Sequence, residues 1–150
     1  MVSNKCTGFN LIEVMIVICI ISILLAIAYP SYQSQVRKTK RVEMKVTMQD
    51  IVHNIQRYKV AHFSVIGAQA SDFDLQSRYP LRGTALYNLS LSPLDENNQL
   101  NSESWQLIAT PIAGTAQAKD GSLLINSRGQ KCWTENRLCI LTTTSNWDGK

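Results

Sequence analysis

Gly8-Phe9-Asn10-Leu11-Ile12-Glu13-Val14-Met15 is the stretch on which the reading of this 150-residue chain turns. Before it lies a short polar leader whose one basic residue is Lys5. After it the chain is apolar, with Ser22 the one conventionally polar side chain in residues 14–28. Glu13 aside, residues 9–29 have the composition of a membrane-crossing helix, which needs about 20 apolar residues. A carboxylate in such a helix costs about 2.5–3.5 kcal/mol at the centre and less near an end. Glu13 lies one turn in, so it either reaches back to the interface or meets a cation inside an apolar bundle, where one pair fixes register. An ordinary secretory signal is cut after its apolar run, at small residues. Here Tyr29-Pro30-Ser31-Tyr32-Gln33 is bulky, and only Ala26 and Ala28 form a weak small-residue pattern.

Glycine, an aromatic start, a glutamate at fixed spacing and an unbroken apolar run together resemble the class III signal of type IV prepilins and pseudopilins. The resemblance implies a leader of residues 1–8, cut between Gly8 and Phe9 by a dedicated membrane peptidase that then methylates Phe9. It also implies that Glu13 pairs with the terminal amine of a neighbouring subunit during assembly. Asn10 stands where the family often has threonine or serine. The implied precursor crosses the inner membrane once with its head in the periplasm, then joins other pilins in a cell-surface pilus. Charge counting points the other way, since five basic residues lie between Arg37 and Lys45 against Lys5 before the run, and positive charge normally stays cytoplasmic. The cleavage motif takes precedence.

Downstream, apolar residues recur at Met44, Met48, Ile51, Ile55 and Tyr58, in steps of three and four that mark one helix face. Pro30 lacks a backbone donor and is expected to kink the helix. The simplest reading is one kinked helix over residues 9–62, about 80 Å long at 1.5 Å per residue. A compact domain of this size is only about 30 Å across. The apolar half, residues 9–29, therefore needs a membrane first and a bundle of like subunits afterwards, while residues 30–62 belong with a head of residues 63–150.

In the head, residues 63–84 read as a connecting loop broken by Gly67, Asp72, Asp74, Pro80 and Gly83. Alternation predicts strands at Leu86 and residues 88–91, at 105–110, at 123–125, and from about Gln130 through Cys132. Four short strands with brief turns make an antiparallel meander whose apolar face covers the helix. The fold class is α+β, and the expected architecture is the type IV pilin fold. The Trp105-Gln106-Leu107-Ile108-Ala109-Thr110-Pro111 strand, with Asp120-Gly121 and Leu123 to Gly129, resembles the head of PilE-type minor pilins. Cys6 lies in the leader and Cys19 in the apolar run, so Cys132 and Cys139 are the plausible local pair. In the oxidising periplasm that the resemblance implies, they are expected to form a disulfide, worth about 2.5 kcal/mol on the chain-entropy model.

The net charge of +4 is unevenly spread. Residues 36–60 hold seven basic and two acidic side chains, whereas residues 63–150 hold seven basic and eight acidic. The helix stretch from Arg37 to Lys45 reads as a solvated or headgroup-facing surface, or as one for inter-subunit pairing. The near-neutral head weakens any inference from pI to nucleic acid. No phosphate-binding glycine loop, paired-histidine zinc motif or nucleophile elbow occurs, so neither an enzyme nor a cofactor is expected. His53 and His62 are too far apart to make a metal site with the cysteines. Arg128, Lys131, Trp133 and Arg137 interleave basic and aromatic residues around the cysteine pair, a composition suited to DNA. Asp120 and Glu135 count against it. A minor pilin serving pilus assembly, and through it motility, adhesion or DNA uptake, therefore leads. A type II secretion pseudopilin and a DNA-receptor pilin are the alternatives. Glu13→Val is expected to leave membrane insertion intact and to lower incorporation, read by immunoblot of membranes and sheared filaments; normal incorporation removes the proposed role of Glu13.

Overall fold

The computed structural model describes residues 10–135 and 139–148. The leader, the Gly8–Phe9 junction and Arg137 lie outside the described residues. The chain divides into two units, Met1–Val36 and Arg37–Lys150.

One helix, α1, spans Leu11–His62 and includes Pro30. The Asn10 carbonyl accepts the Glu13 and Val14 N–H groups and so starts the first turn. In the first unit the side chains of residues 10–33 are all exposed, including the apolar run from Leu11 to Ile27. This part is long and apolar enough to cross a membrane. Ser22 donates its hydroxyl to the Ile18 carbonyl at 2.7 Å, which satisfies a polar group in apolar surroundings. Glu13 is exposed and has no ion-pair partner among the described residues.

In the second unit α1 buries Met44, Met48, Ile51, Val52 and Ile55. They meet a five-stranded antiparallel sheet of β1 (Arg78–Tyr79), β2 (Tyr87–Ser92), β3 (Gln106–Pro111), β4 (Leu123–Asn126) and β5 (Lys131–Trp133), ordered as in the sequence. Alternation sets the register. Tyr87, Leu89 and Leu91 lie across from Pro111, Ala109 and Leu107, and Ala109 and Leu107 in turn face Leu123 and Ile125. The buried members of these rows form one core with the α1 face. Each large apolar side chain removed from water there contributes about 1.5–3 kcal/mol. The opposite face of β2, β3 and β4 carries Asn88, Ser90, Ser92, Gln106, Thr110 and Asn126, together with Ile108 and Leu124.

Five strands stand where about four are expected, and the extra one is β1. A two-residue strand shows no alternation; its ladder to Tyr87 and Asn88 places it, with Tyr79 packed against the core. The connecting loop is also more built than its composition suggests. Val65, Ala68 and Phe73 are fully buried, and a 3-10 turn covers Ala70–Phe73. Isolated anchors of this kind leave no period to detect.

Glu103 fastens the end of α1 to that loop. Its carboxylate lies 2.7 Å from Lys59 Nζ and accepts from Ser64 Oγ at 2.6 Å and from the Val65 N–H at 3.2 Å. The Lys59 bond first, and Ser64 next, hold Glu103 at about 2, below its usual 4.5. The folded-state pKa is depressed, so the stabilisation is complete above about 4.5 and is lost as pH falls towards 2. The protection factor of the Val65 amide, measured by NMR against the intrinsic exchange rate at each pH, is expected to fall across that window in the native chain and to be low on both sides of it in Glu103→Gln. A native profile that stays flat would contradict the clasp.

Candidate functional site

Among the described residues Asp120 is the one buried carboxylate, 2% exposed. It sits in the β3–β4 connection, and Arg41 of α1 reaches it from 79 positions away in sequence. Arg41 Nε donates to the two Asp120 oxygens at 3.1 and 2.9 Å, and Nη2 donates to Oδ1. Tyr87 Oη donates to Oδ2 at 2.9 Å. Gln117 Nε2 lies 2.7 Å from Tyr87 Oη and 3.0 Å from both Asp120 Oδ2 and the Arg37 carbonyl, two hydrogens shared over three acceptors. Burial above all raises the Tyr87 pKa well beyond the ordinary phenol value; the Gln117 bond opposes that shift and the Asp120 charge reinforces it. Tyr87 therefore remains a donor. A charged carboxylate survives inside the head because nearly every lone pair has a partner.

Trp133 closes the network. Its indole N–H donates to the Asp120 carbonyl at 2.7 Å, and the Arg41 guanidinium lies 3.5 Å over its ring. The side chain is 8% exposed. This corrects the expectation that Trp133 stacks on DNA, because its face already carries Arg41. Two helix cations are likewise not free for solvent or headgroups. Arg41 is spent on Asp120, and Lys45 donates to the Trp147 carbonyl. Burial, then the Arg41 charge, lowers the Lys45 pKa. Lys40 pairs with Glu43. No sequence signal links Arg41 to Asp120, whose neighbour Gly121 marks it as a turn residue.

Cys132 and Cys139 form a disulfide, with Cα atoms 5.9 Å apart. Cys132 lies on the outer sheet face, where it joins Leu124, Ile108 and Leu141 in a small second cluster. The following segment returns to β5, where the Trp133 N–H donates to the Asn146 carbonyl. Trp147 then enters the main core and donates its indole N–H to the Leu124 carbonyl at 3.0 Å. Lys131 is half-buried with its ammonium 5.0 Å from the Trp147 ring centre.

Arg128 differs from these residues. It is exposed in the β4–β5 turn and, among the described residues, has no ion-pair partner. An open groove of about 330 Å³ runs beside it, lined by Ser92, Pro93, Ser104, Trp105, Gln106, Asn126 and Ser127. No acidic side chain lines the groove. Hydroxyl and amide groups around one unpaired guanidinium suit a phosphate-bearing ligand. The Asp95 carboxylate elsewhere is occupied by the Asn97 and Gln99 N–H groups.

Comparison with known families matches residues 30–132 to the model described as type IV minor pilin ComP, DNA uptake sequence receptor. Residues 3–29 match the prokaryotic N-terminal methylation motif. Among solved structures the chain is similar to the crystal structure of the Neisseria meningitidis non-core minor pilin PilV. Identity there is 18%, the TM-score 0.45, and the match covers 68% of this chain and 94% of that one. No curated protein matches.

Asp120→Ala leaves Arg41 buried without a counter-charge and is expected to cost about 3–5 kcal/mol of unfolding free energy. Denaturant titration of the full chain in detergent measures this. The double variant Arg41→Met/Asp120→Ala should recover part of the loss. Additive losses would show that the pair is not coupled.

Proposed function

This chain belongs to the family of type IV minor pilins described as ComP, DNA uptake sequence receptor, and on that premise we propose that it captures DNA at the cell surface. As a minor pilin it is a filament subunit: a single-pass inner-membrane precursor, processed by prepilin peptidase and assembled with other pilins. The secretion pseudopilin alternative gives way to the family match. The methylation-motif match supports cleavage after Gly8, methylation of Phe9 and assembly pairing by Glu13, with Pro30 as the bend within α1.

The family match over residues 30–132 carries the DNA reading. It raises an alternative that composition alone ranks behind plain assembly. Two features of the head support it. Asp120, which counts against DNA as a negative charge, is buried and paired with Arg41. Arg128 faces an acid-free polar groove on an open part of the surface. Of the four candidate contacts, Arg128 fits best; Lys131 is engaged with Trp147, Trp133 belongs to the core, and Arg137 lies outside the described residues. A bound strand places a phosphate against the Arg128 guanidinium and further backbone oxygens against the Ser92, Ser104 and Ser127 hydroxyls. Each cation-phosphate contact with duplex DNA contributes about 0.9 to the slope of log K against log salt.

Arg128→Ala is expected to weaken DNA binding by purified full-length protein and to reduce that slope by about one, with incorporation into filaments unchanged. Fluorescence anisotropy across a salt series reads both quantities. An unchanged slope and affinity would remove Arg128 from the DNA interface.

A further inference from the structure

The chain holds three tryptophans, and two of them use their indole N–H inside the head. Trp133 donates to the Asp120 carbonyl at 2.7 Å and Trp147 to the Leu124 carbonyl at 3.0 Å. Trp105 differs. It is 5% exposed and belongs to the main core, yet among the described residues its N–H has no acceptor. An indole N–H can only donate, and a buried one ordinarily finds a partner. The Trp105 N–H is also not among the side-chain polar atoms that are shut off from solvent without a hydrogen bond. It therefore opens to the surface, and the surface that Trp105 lines is the groove beside Arg128.

Backbone and side-chain bonds hold that groove in shape. The Ser127 N–H donates to the Trp105 carbonyl at 3.0 Å, which ties the start of β3 to the β4–β5 turn. Asn126 Oδ1 accepts the Arg128 and Gln130 N–H groups at 3.1 and 3.0 Å, and Asn126 Nδ2 donates to Gln130 Oε1 at 2.7 Å. Asn126 is thus engaged within the turn that presents Arg128. The indole of Trp105, the guanidinium of Arg128, the amide of Gln106 and the hydroxyls of Ser92, Ser104 and Ser127 also line the groove. None of these has a side-chain hydrogen bond among the described residues. Two of them, the indole and the guanidinium, are donors alone. A base edge mixes donors with acceptors, whereas phosphodiester oxygens only accept. The donor set favours the phosphate.

We propose that Trp105 is a DNA-contacting residue whose indole N–H donates to an oxygen of the backbone phosphate paired by Arg128. The inference rests on the DNA reading and adds to it a neutral donor anchored in the core. The Arg128 side chain is long and exposed, while the indole is fixed by its packing. Trp105 therefore sets where the phosphate sits, and Arg128 supplies the charge. Because the indole is uncharged, its contact releases no counterion. It raises affinity without changing the salt slope.

The test uses purified full-length protein in detergent and short DNA duplexes of several sequences. NMR follows the indole N–H signals, and the Trp105 signal is assigned by its loss in Trp105→Phe. On adding duplex to the native chain, that signal is expected to shift and its exchange with water to slow, while those of Trp133 and Trp147 stay in place. In fluorescence anisotropy, Trp105→Phe should weaken binding about tenfold, equally for every duplex and with the salt slope unchanged. Arg128→Ala, in contrast, lowers the slope. A native Trp105 signal that does not respond to a duplex which binds overturns the proposal and leaves the DNA reading standing. An affinity loss confined to particular base sequences also overturns it, in favour of a base contact. Native protein that binds no duplex removes the DNA reading and this inference with it. The native-chain NMR response decides the matter even where Trp105→Phe does not fold.

Discussion

A carboxylate cannot stay charged inside a head this small unless it is matched, and Asp120 is matched by Arg41. The pair joins the helix to the β3–β4 connection, and Tyr87, Gln117 and Trp133 are placed to satisfy what the ion pair leaves open. Apolar contact between the α1 face and the sheet supplies the bulk of the stabilisation, but it is non-directional. The charged joint adds direction. Sliding the helix by one turn would set Arg37 or Lys45 opposite Asp120 and would lose the Arg41 contact to both carboxylate oxygens and its seat over Trp133. Among the described residues no other acid is buried, so Arg41–Asp120 is the buried ionic constraint on the helix, with the more exposed Lys59–Glu103 pair at its end.

The same joint reshapes the electrostatics of the head. Counted by sequence, residues 63–150 are slightly acidic. Asp120 faces inward and Glu103 is engaged by Lys59, so these two carboxylates are answered by helix cations. What remains around the β4–β5 turn is polar and uncharged apart from Arg128. A surface of hydroxyls and amides with one free guanidinium holds a polyanion weakly and reversibly by itself. On the proposed reading, Arg128 is the group that this surface leaves available to a phosphate.

Much of this was legible from residues alone. The apolar run with its lone glutamate, the helical face from Met44 to Ile55 and the four longer strands all follow from period and composition, because each depends on local spacing. The cysteine pair was legible for the same reason, being only seven positions apart. What residues alone do not show depends on contacts between distant positions. Arg41 reads as one more residue in a basic stretch, and Asp120 reads as a turn, until the sheet brings them together. Trp133 reads as a candidate DNA contact beside its basic neighbours, although its pairing opposite Leu123 in β5 puts it on the helix side. The strand β1 is not legible because two residues carry no pattern.

The sheet is a simple meander in which every strand pairs with the one before it, so strand pairing is local and can form quickly. The α1 face and its Asp120 clasp are different, because helix and partner are separated by most of the head. During export the second half of the helix emerges before the strands, and Met44, Met48 and Ile51 stand uncovered until the sheet residues of their core have followed. That interval is the vulnerable stage of the subunit's life, when a bare apolar stripe can associate with the wrong neighbour. The clasp itself waits for Asp120, 79 positions beyond Arg41.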